Sequence, residues 1–332
     1  MIPIEIFETF AQGDYIPLMA QVAIERALNP RVVDQLFEDT AETQFTRELL
    51  FSSVVGLMSL VVCRIRPSIN AAYQKAAVPI PVSLKAFYGK LARIEPAVGS
   101  ALVRLTADRL APVITAMGGE RTPYLEGYHT RILDGNHLPG SEHRIKELRV
   151  LRAGTLPGHT LVVLDPDRLL VVDAFPCEDG HAQERSLLDQ VEATVQRRDL
   201  WIADRNFCTT GFLFGVHNRD GCFVIRQHAS TLHYTLVGKR KSRGRIATGA
   251  VFEQTLRATN DAGEILLLRR ITVVLDQPTR DGESELHILT NLPVRHARAR
   301  VVAELYRRRW TIEISHPDYP SSHNLYRGGW AA

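Results

Sequence analysis

The sequence is short of cysteine, of net charge and of long apolar runs, and each shortage removes a class of protein. Its four cysteines, Cys63, Cys177, Cys208 and Cys222, form no CxxC pair and stand at no zinc-finger distance from a histidine pair. That spacing speaks against a disulfide framework and a structural zinc site, and fits a reducing compartment. The most apolar stretch, Phe51 to Cys63, is bounded by Arg47, Glu48 and Arg64. It falls well short of the ~20 residues of a membrane helix, so a buried core helix is expected there. The opening segment carries Glu5 and Glu8 where a secretory leader needs basic residues and an apolar run, so a cytoplasmic location is expected. Forty Lys and Arg against 37 Asp and Glu leave a formal charge of +3. So small an excess announces no polyanionic partner, and only the placement of the charges can. No internal repeat, Gly-rich phosphate loop or Ser/His/Asp arrangement stands out either. What is present is ordinary globular composition over 332 residues, 45% of them hydrophobic, enough for two or three packed domains.

From about Pro17 to Pro112 the apolar residues recur at helical spacing, as in Leu18, Val22 and Leu28, or Leu49, Leu50, Val54 and Leu57. An all-helical region is expected, broken at Asn29-Pro30, at Arg66-Pro67 and across Val78-Pro79-Ile80-Pro81, with Ser83 as the N-cap of the segment that follows. Short helices with tight joints suit a helix-turn-helix-like module in which SLKAFYGKLARI presents Lys85, Lys90 and Arg93, although a plain helical bundle reads the same.

At Gly118-Gly119 the period changes to two. Strands are expected at RILDG, ELRVL, TLVVLD, RLLVVDAF and LWIAD, with a hairpin turn at Asp165-Pro166-Asp167 and a helix in QERSLLDQVEATVQRRD carrying Leu187, Leu188, Val191 and Val195 on one face. After a short helix from Thr209 to His217, strands resume as CFVIRQ, LHYTLV, VFEQTLRA, EILLLRRITVVL and ELHILTN. An α/β fold follows, with an antiparallel β-rich segment toward its C-terminal side. Within that segment, VGKRKSRGR reads as a long loop at a hairpin tip. Its Lys239, Arg240, Lys241, Arg243 and Arg245, with no acid among them, point to a polyanion.

Three acids stand out. Asp134 ends an apolar strand in ILDGNHLPG, and Asp204 ends the strand LWIAD, positions where open α/β sheets build their sites. Either one alone is equally an ordinary turn former. If Ala299 to Glu313 is helical, Tyr306, Arg309 and Glu313 share one face while Val302, Leu305 and Trp310 pack inward. Together, two strand-end aspartates and a helix-borne glutamate make an oxygen-rich ligand set suited to Mg²⁺ or Mn²⁺. A pair of such ions supports phosphodiester transfer. His137, beside Asp134, reads as a turn residue.

With those residues in place, the chain resembles a DDE transposase of the bacterial insertion-sequence type, in particular insertion-sequence family four. The resemblance rests on Asp134 in LDGNHLPG, Asp204 in ADRNF, and Tyr306, Arg309 and Glu313 in YRRRWTIE. The three acids are spaced by 70 and then 109 residues. It implies a ribonuclease H-like catalytic core over 118–220 and 292–316, interrupted by a β-rich insertion at 221–291; the N-terminal region at 1–117 matches only through its helical character, with DNA binding one of its two readings. It also implies catalysis and metal binding by Asp134, Asp204 and Glu313 with two Mg²⁺ or Mn²⁺ ions. Double-stranded DNA would be the substrate and a dimer the working unit, in a bacterial cytoplasm. Tyr306 and Arg309 would contact phosphate near the element end, and the five cations of 239–245 would hold the DNA backbone.

One departure marks this copy. The family pattern continues to a Lys seven residues after the glutamate, and that position here is Pro320. The segment 317–332 has no helical period, as expected of a truncated or out-of-frame tail. Two alternatives to an active transposase therefore stand: a DNA-binding remnant that does not cut, and a host ribonuclease H-like nuclease. A metal-free helical regulator would remain if the acids never converged.

Overall fold

The computed structural model describes residues 15–44, 46, 48–76, 80–137, 159–177, 183–228, 230–279 and 282–310. The expected strand ELRVL, the His137 side chain, Glu313 and the tail 317–332 lie outside the described residues. The described chain divides into two units, residues 15–119 with 172–177, and residues 120–137, 159–171 and 183–310.

The first unit is helical: α1 (Tyr15–Ala27), α2 (Pro30–Thr40), α3 (Phe51–Val62), α4 (Ile69–Gln74), α5 (Leu84–Leu91) and α6 (Pro96–Ala116). Local chemistry starts each short helix. The Asn29 side chain accepts from the Arg31 N–H with Pro30 in the first turn, Ser68 caps α4 and Ser83 caps α5, satisfying amide donors that no helical carbonyl can reach. Buried Val33, Phe37, Phe51, Val54, Leu57, Ala72, Phe87 and Val98 form one core, with the Phe37 and Phe51 rings stacked at 4.9 Å. The expected buried helix at Phe51 is thus α3. Helix α6 runs through Pro112 to Ala116 and stops where Gly118 takes φ +67°, the left-handed turn that glycine adopts without strain.

The second unit carries strands β1 (His129–His137), β2 (His159–Asp165), β4 (Asp199–Ala203), β5 (Cys222–Arg226), β6 (His233–Ile246), β7 (Gly249–Thr259), β8 (Ile265–Leu275) and β9 (Glu285–Thr290). With β3 (Leu170–Cys177) they form a single nine-stranded sheet of order β3-β2-β1-β4-β5-β9-β8-β7-β6. β1 is antiparallel to β2 and parallel to β4, and β4 is parallel to β5. β9 then joins β5 antiparallel, so the β-rich segment continues the sheet. Every residue of β4 is buried, as befits a central strand covered on both faces.

Period two sorts the core. Ile132, Leu200, Ile202, Val224, Ile271, Val273 and Ile288 share one face with Val302, Leu305 and Tyr306 of α9 (Ala299–Arg307). On the other side, α7 (Leu188–Ala193), entered through a 3-10 turn at Glu184–Leu187, packs with α8 (Thr210–Asn218), and Phe212 meets Trp201 edge to face. Among the described residues, no helix is long and apolar enough to cross a membrane.

Two expectations change. The α-helix expected to run from Ala299 to Glu313 gives way to a 3-10 turn at Arg308–Trp310. The cationic stretch 239–245 is no hairpin-tip loop but part of β6, a 14-residue strand at the sheet margin, with register shifts after Val237 and after Ser242. Lys, Arg and Gly are weak strand formers, which hid the strand. They are also what margins of sheets carry, since charge and bulges discourage further pairing.

Candidate active site

Asp134 and Asp204 are brought together by register. The last β1–β4 pair is Leu133 opposite Ala203, so the two aspartates are the next residues on adjacent parallel strands, whose axes run about 4.8 Å apart. Asp134 alternates in phase with Ile132 and Asp204 with Ile202, the face on which α9 lies, so both acids leave the sheet on that side.

Each carboxylate is fixed by its own turn. Asp134 Oδ1 accepts the Gly135 N–H at 3.1 Å. Asp204 Oδ1 accepts the Asn206 N–H at 2.7 Å, capping the 3-10 turn Arg205–Phe207. From the end of α9, Arg309 reaches in. Its Nη1 lies 3.5 Å from Asp134 Oδ2, with the arginine side chain 6% and the aspartate side chain 23% exposed. Burial pushes the Asp134 carboxyl up to about 6, with repulsion from Asp204 and Glu184 adding to it, while Arg309 and the Gly135 N–H pull the other way.

Tyr306 is buried against the sheet, and its side chain is within hydrogen-bonding reach of Arg309. Burial raises its hydroxyl pKa, with Arg309 and Arg226 opposing and Asp204 reinforcing that rise. Its ring belongs to the core, because Tyr306 stands one helical turn after buried Val302.

The five cations of β6 are mostly spoken for. Arg240 pairs with Glu285 at 3.0 Å and lies 4.1 Å above the Phe252 ring. Arg243 pairs with Glu253 at 2.7 Å, and Arg245 with Asp276 at 2.7 Å. Lys239 and Lys241 are exposed and form no ion pair among the described residues. In the helical unit, Lys85 and Arg93 are exposed, but the Lys90 ammonium sits 4.4 Å from the centroid of the Phe37 ring. An ammonium over an aromatic face is already engaged.

Several residues at the site were not singled out in the sequence. The Glu184 carboxylate packs on Gly135, where a Cβ would overlap it, and accepts from Asn206 Nδ2 at 2.7 Å. Glu283 pairs with both Arg205 and Arg226. Only chain continuity could have pointed to these: Glu184 is an acid in the first turn after a strand, and Arg205 follows Asp204.

Oxygen donors from separate elements, with the affinity of one carboxyl for its proton raised by burial and by neighbouring acids, fit a hard divalent cation. Among the described residues, no three His, Cys, Asp or Glu side chains form a group that could hold a metal ion. The third acid of the expected set, Glu313, lies outside the described residues.

An α/β sheet with two acids at the ends of neighbouring parallel strands, and an arginine laid over one of them, defines an acidic, arginine-flanked site of the open-sheet type. A family model for the transposase DDE domain matches residues 129–318, more than half of the chain, and the chain belongs to that family. It is a DDE transposase. No curated protein matches the chain.

Proposed function

We propose that the chain is a divalent-metal-dependent transposase of the family-four insertion-sequence type, cutting DNA at element ends and joining the freed ends to target DNA. The observation that carries this reading is the placement of Asp134 and Asp204 one residue past a register pair of parallel strands. The order β3-β2-β1-β4-β5, with β1 antiparallel to β2 and parallel to β4, supports a ribonuclease H-like core. On this reading the β-rich insertion expected at 221–291 begins after β5 (Cys222–Arg226) and comprises β6–β9, and the helical unit is the DNA-binding region.

Asp134, Asp204 and Glu313 would hold Mg²⁺ or Mn²⁺, which when bound lowers the barrier to attack on phosphorus by water or a 3′-hydroxyl. The chain's own residues do the positioning. Arg309 offers a guanidinium to a phosphate beside Asp134, and buried Tyr306 packs beneath it. Lys239 and Lys241 bind the DNA backbone without reading sequence. Double-stranded DNA is the substrate, and a second subunit belongs to the synaptic complex.

The test is cleavage and strand transfer on a duplex bearing the element end, with Mg²⁺ or Mn²⁺. Wild type should cut and join. Asp134→Asn and Asp204→Asn should bind the same duplex and leave it whole. Equal cutting by either variant would refute the reading. Pro320, standing where the family pattern has Lys, favours a second reading, a transposase that shifts element ends in a gel but does not cut them. Cutting of any duplex regardless of end sequence would instead favour a host nuclease.

A further inference from the structure

Three elements converge beside Asp134: the end of β1, the 3-10 turn that opens Glu184–Leu187, and the turn that follows β4. Glu184 sits where they meet. Its carboxylate lies against the Gly135 backbone, in space that only a residue without a Cβ leaves open. Its Oε2 accepts from Asn206 Nδ2 at 2.7 Å, and the Asn206 N–H in turn donates to Asp204 Oδ1 at 2.7 Å. Arg185 Nε donates to the Asn206 carbonyl at 2.7 Å and to Asn206 Oδ1 at 3.2 Å. The amide oxygen of Asn206 is thereby occupied, and its NH₂ is left to face Glu184. Leu187, Leu188 and Val191, all buried, anchor this element in the core, so Glu184 cannot drift with solvent.

We propose that Glu184 is a positioning residue. Through Asn206 it holds the Asp204 turn against Gly135, so that the Asp134 and Asp204 carboxylates keep one separation. The proposal rests on the transposase reading above. A hydrogen-bonded partner of this kind does for paired carboxylates what outer-shell groups do for metal-ligating histidines: it fixes their orientation before the ligand arrives. Among the described residues, the Asp204 carboxylate is held by the turn it caps. A loose turn would therefore change the reach of one acid while leaving the other in place.

The variants are Glu184→Ala, Glu184→Gln and Gly135→Ala, compared with wild type in single-turnover cleavage of end-bearing duplex and in Mn²⁺ binding by the DNA-free protein, read by electron paramagnetic resonance. Glu184→Ala should lower the single-turnover cleavage rate and weaken Mn²⁺ binding by about 10- to 100-fold with little change in the DNA concentration that half-saturates cleavage. Glu184→Gln, which keeps an oxygen for Asn206, should recover both to within about threefold of wild type. Gly135→Ala should reproduce the alanine defect by pushing Glu184 away. If Glu184→Ala does not fold, Asn206→Ala removes the same bond from its other end and takes its place. Wild-type behaviour of Glu184→Ala overturns the proposal, as does a glutamine variant as defective as alanine. Wild type that binds Mn²⁺ but cuts nothing sinks the transposase reading alone, and Glu184 is then judged on the Mn²⁺ series. Wild type that does neither sinks both.

Discussion

Replacing Asp134 with Asn should make the metal-free protein more stable at neutral pH while abolishing cleavage. The carboxyl is pushed from its ordinary 3.8 to about 6, chiefly by burial. Below 3.8 it is protonated in folded and unfolded chains alike, and folding is not penalised. As pH rises through 3.8 the unfolded chain ionises first. The native state then loses stability until the folded group also ionises near 6, after which the loss is constant. At 1.36 kcal/mol per unit, the full penalty is about 3 kcal/mol. Asparagine fills the same volume without the charge. It forfeits the 3.5 Å contact with Arg309, a long one for an ion pair, so a net gain of roughly 1–3 kcal/mol is expected at about pH 8.

Urea unfolding in EDTA, at about pH 8 and about pH 4.5, measures this directly. The advantage of Asp134→Asn should shrink by about 2 kcal/mol between the two conditions, because the carboxylates distant from Asp134 titrate alike in both proteins and cancel. Added Mn²⁺ should then raise the midpoint of wild type and leave that of the variant nearly unmoved, since only the carboxylate form gains from the cation. A variant less stable than wild type at the higher pH, or an advantage of the same size at both, would refute the reasoning.

The remaining expectations concern parts of the molecule farther from Asp134. Arg269 donates to Glu253 at 2.6 Å and to the carbonyls of Leu292 and Ala297 at 2.9 and 2.8 Å. It therefore ties β8 to the chain entering α9, and Arg269→Leu should cost about 3–5 kcal/mol in urea unfolding by leaving Glu253 buried beside one cation. Although burial works to raise it, the Glu253 carboxyl is held below the usual range by Arg269 and Arg243. The strut should therefore lose strength as pH falls through that lowered value, visible as a steeper acid limb in wild type than in a Glu253→Gln, Arg269→Leu double variant. Lys239→Ala with Lys241→Ala should reduce the salt slope of DNA binding by about 0.9 for each phosphate left without its lysine, and Arg243→Ala should not. Phe37→Ala should cost about 3–5 kcal/mol in the helical unit, because the ring is fully buried, stacks on Phe51 and carries Lys90 on its face.

Asp134 and Asp204 were legible because each closes a run of alternating apolar residues and is followed by a turn signal, so their position at strand ends needed no partner strand to be seen. Their adjacency was not legible. It depends on β1 and β4 pairing in parallel across 61 intervening positions, and no local pattern encodes that register. The hairpin turn at Asp165 was readable for the same reason as the acids: Asp165 accepts the backbone N–H groups of Asp167 and Arg168, a bond that Asx residues make on their own. The second half of β6 reads as a loop because bulged, charged margins resemble loops in composition, and what makes it a strand is the β7 beside it. Glu184 carries no signal beyond being an acid soon after a strand, since its meaning comes from a glycine 49 positions earlier and an asparagine 22 positions later.

The outer rim of β6 has a further consequence for handling the protein. Among the described residues no strand lies beyond it, so its outward amides and carbonyls are a template on which a second molecule could extend the sheet. Like-signed Lys239 and Lys241, together with the kinks at Gly238 and Gly244, keep two such rims apart. Concentrated salt, the usual means of stripping nucleic acid during purification, collapses that mutual repulsion to a few ångströms. The DNA-free protein should therefore be least colloidally stable in the very buffers that make it clean.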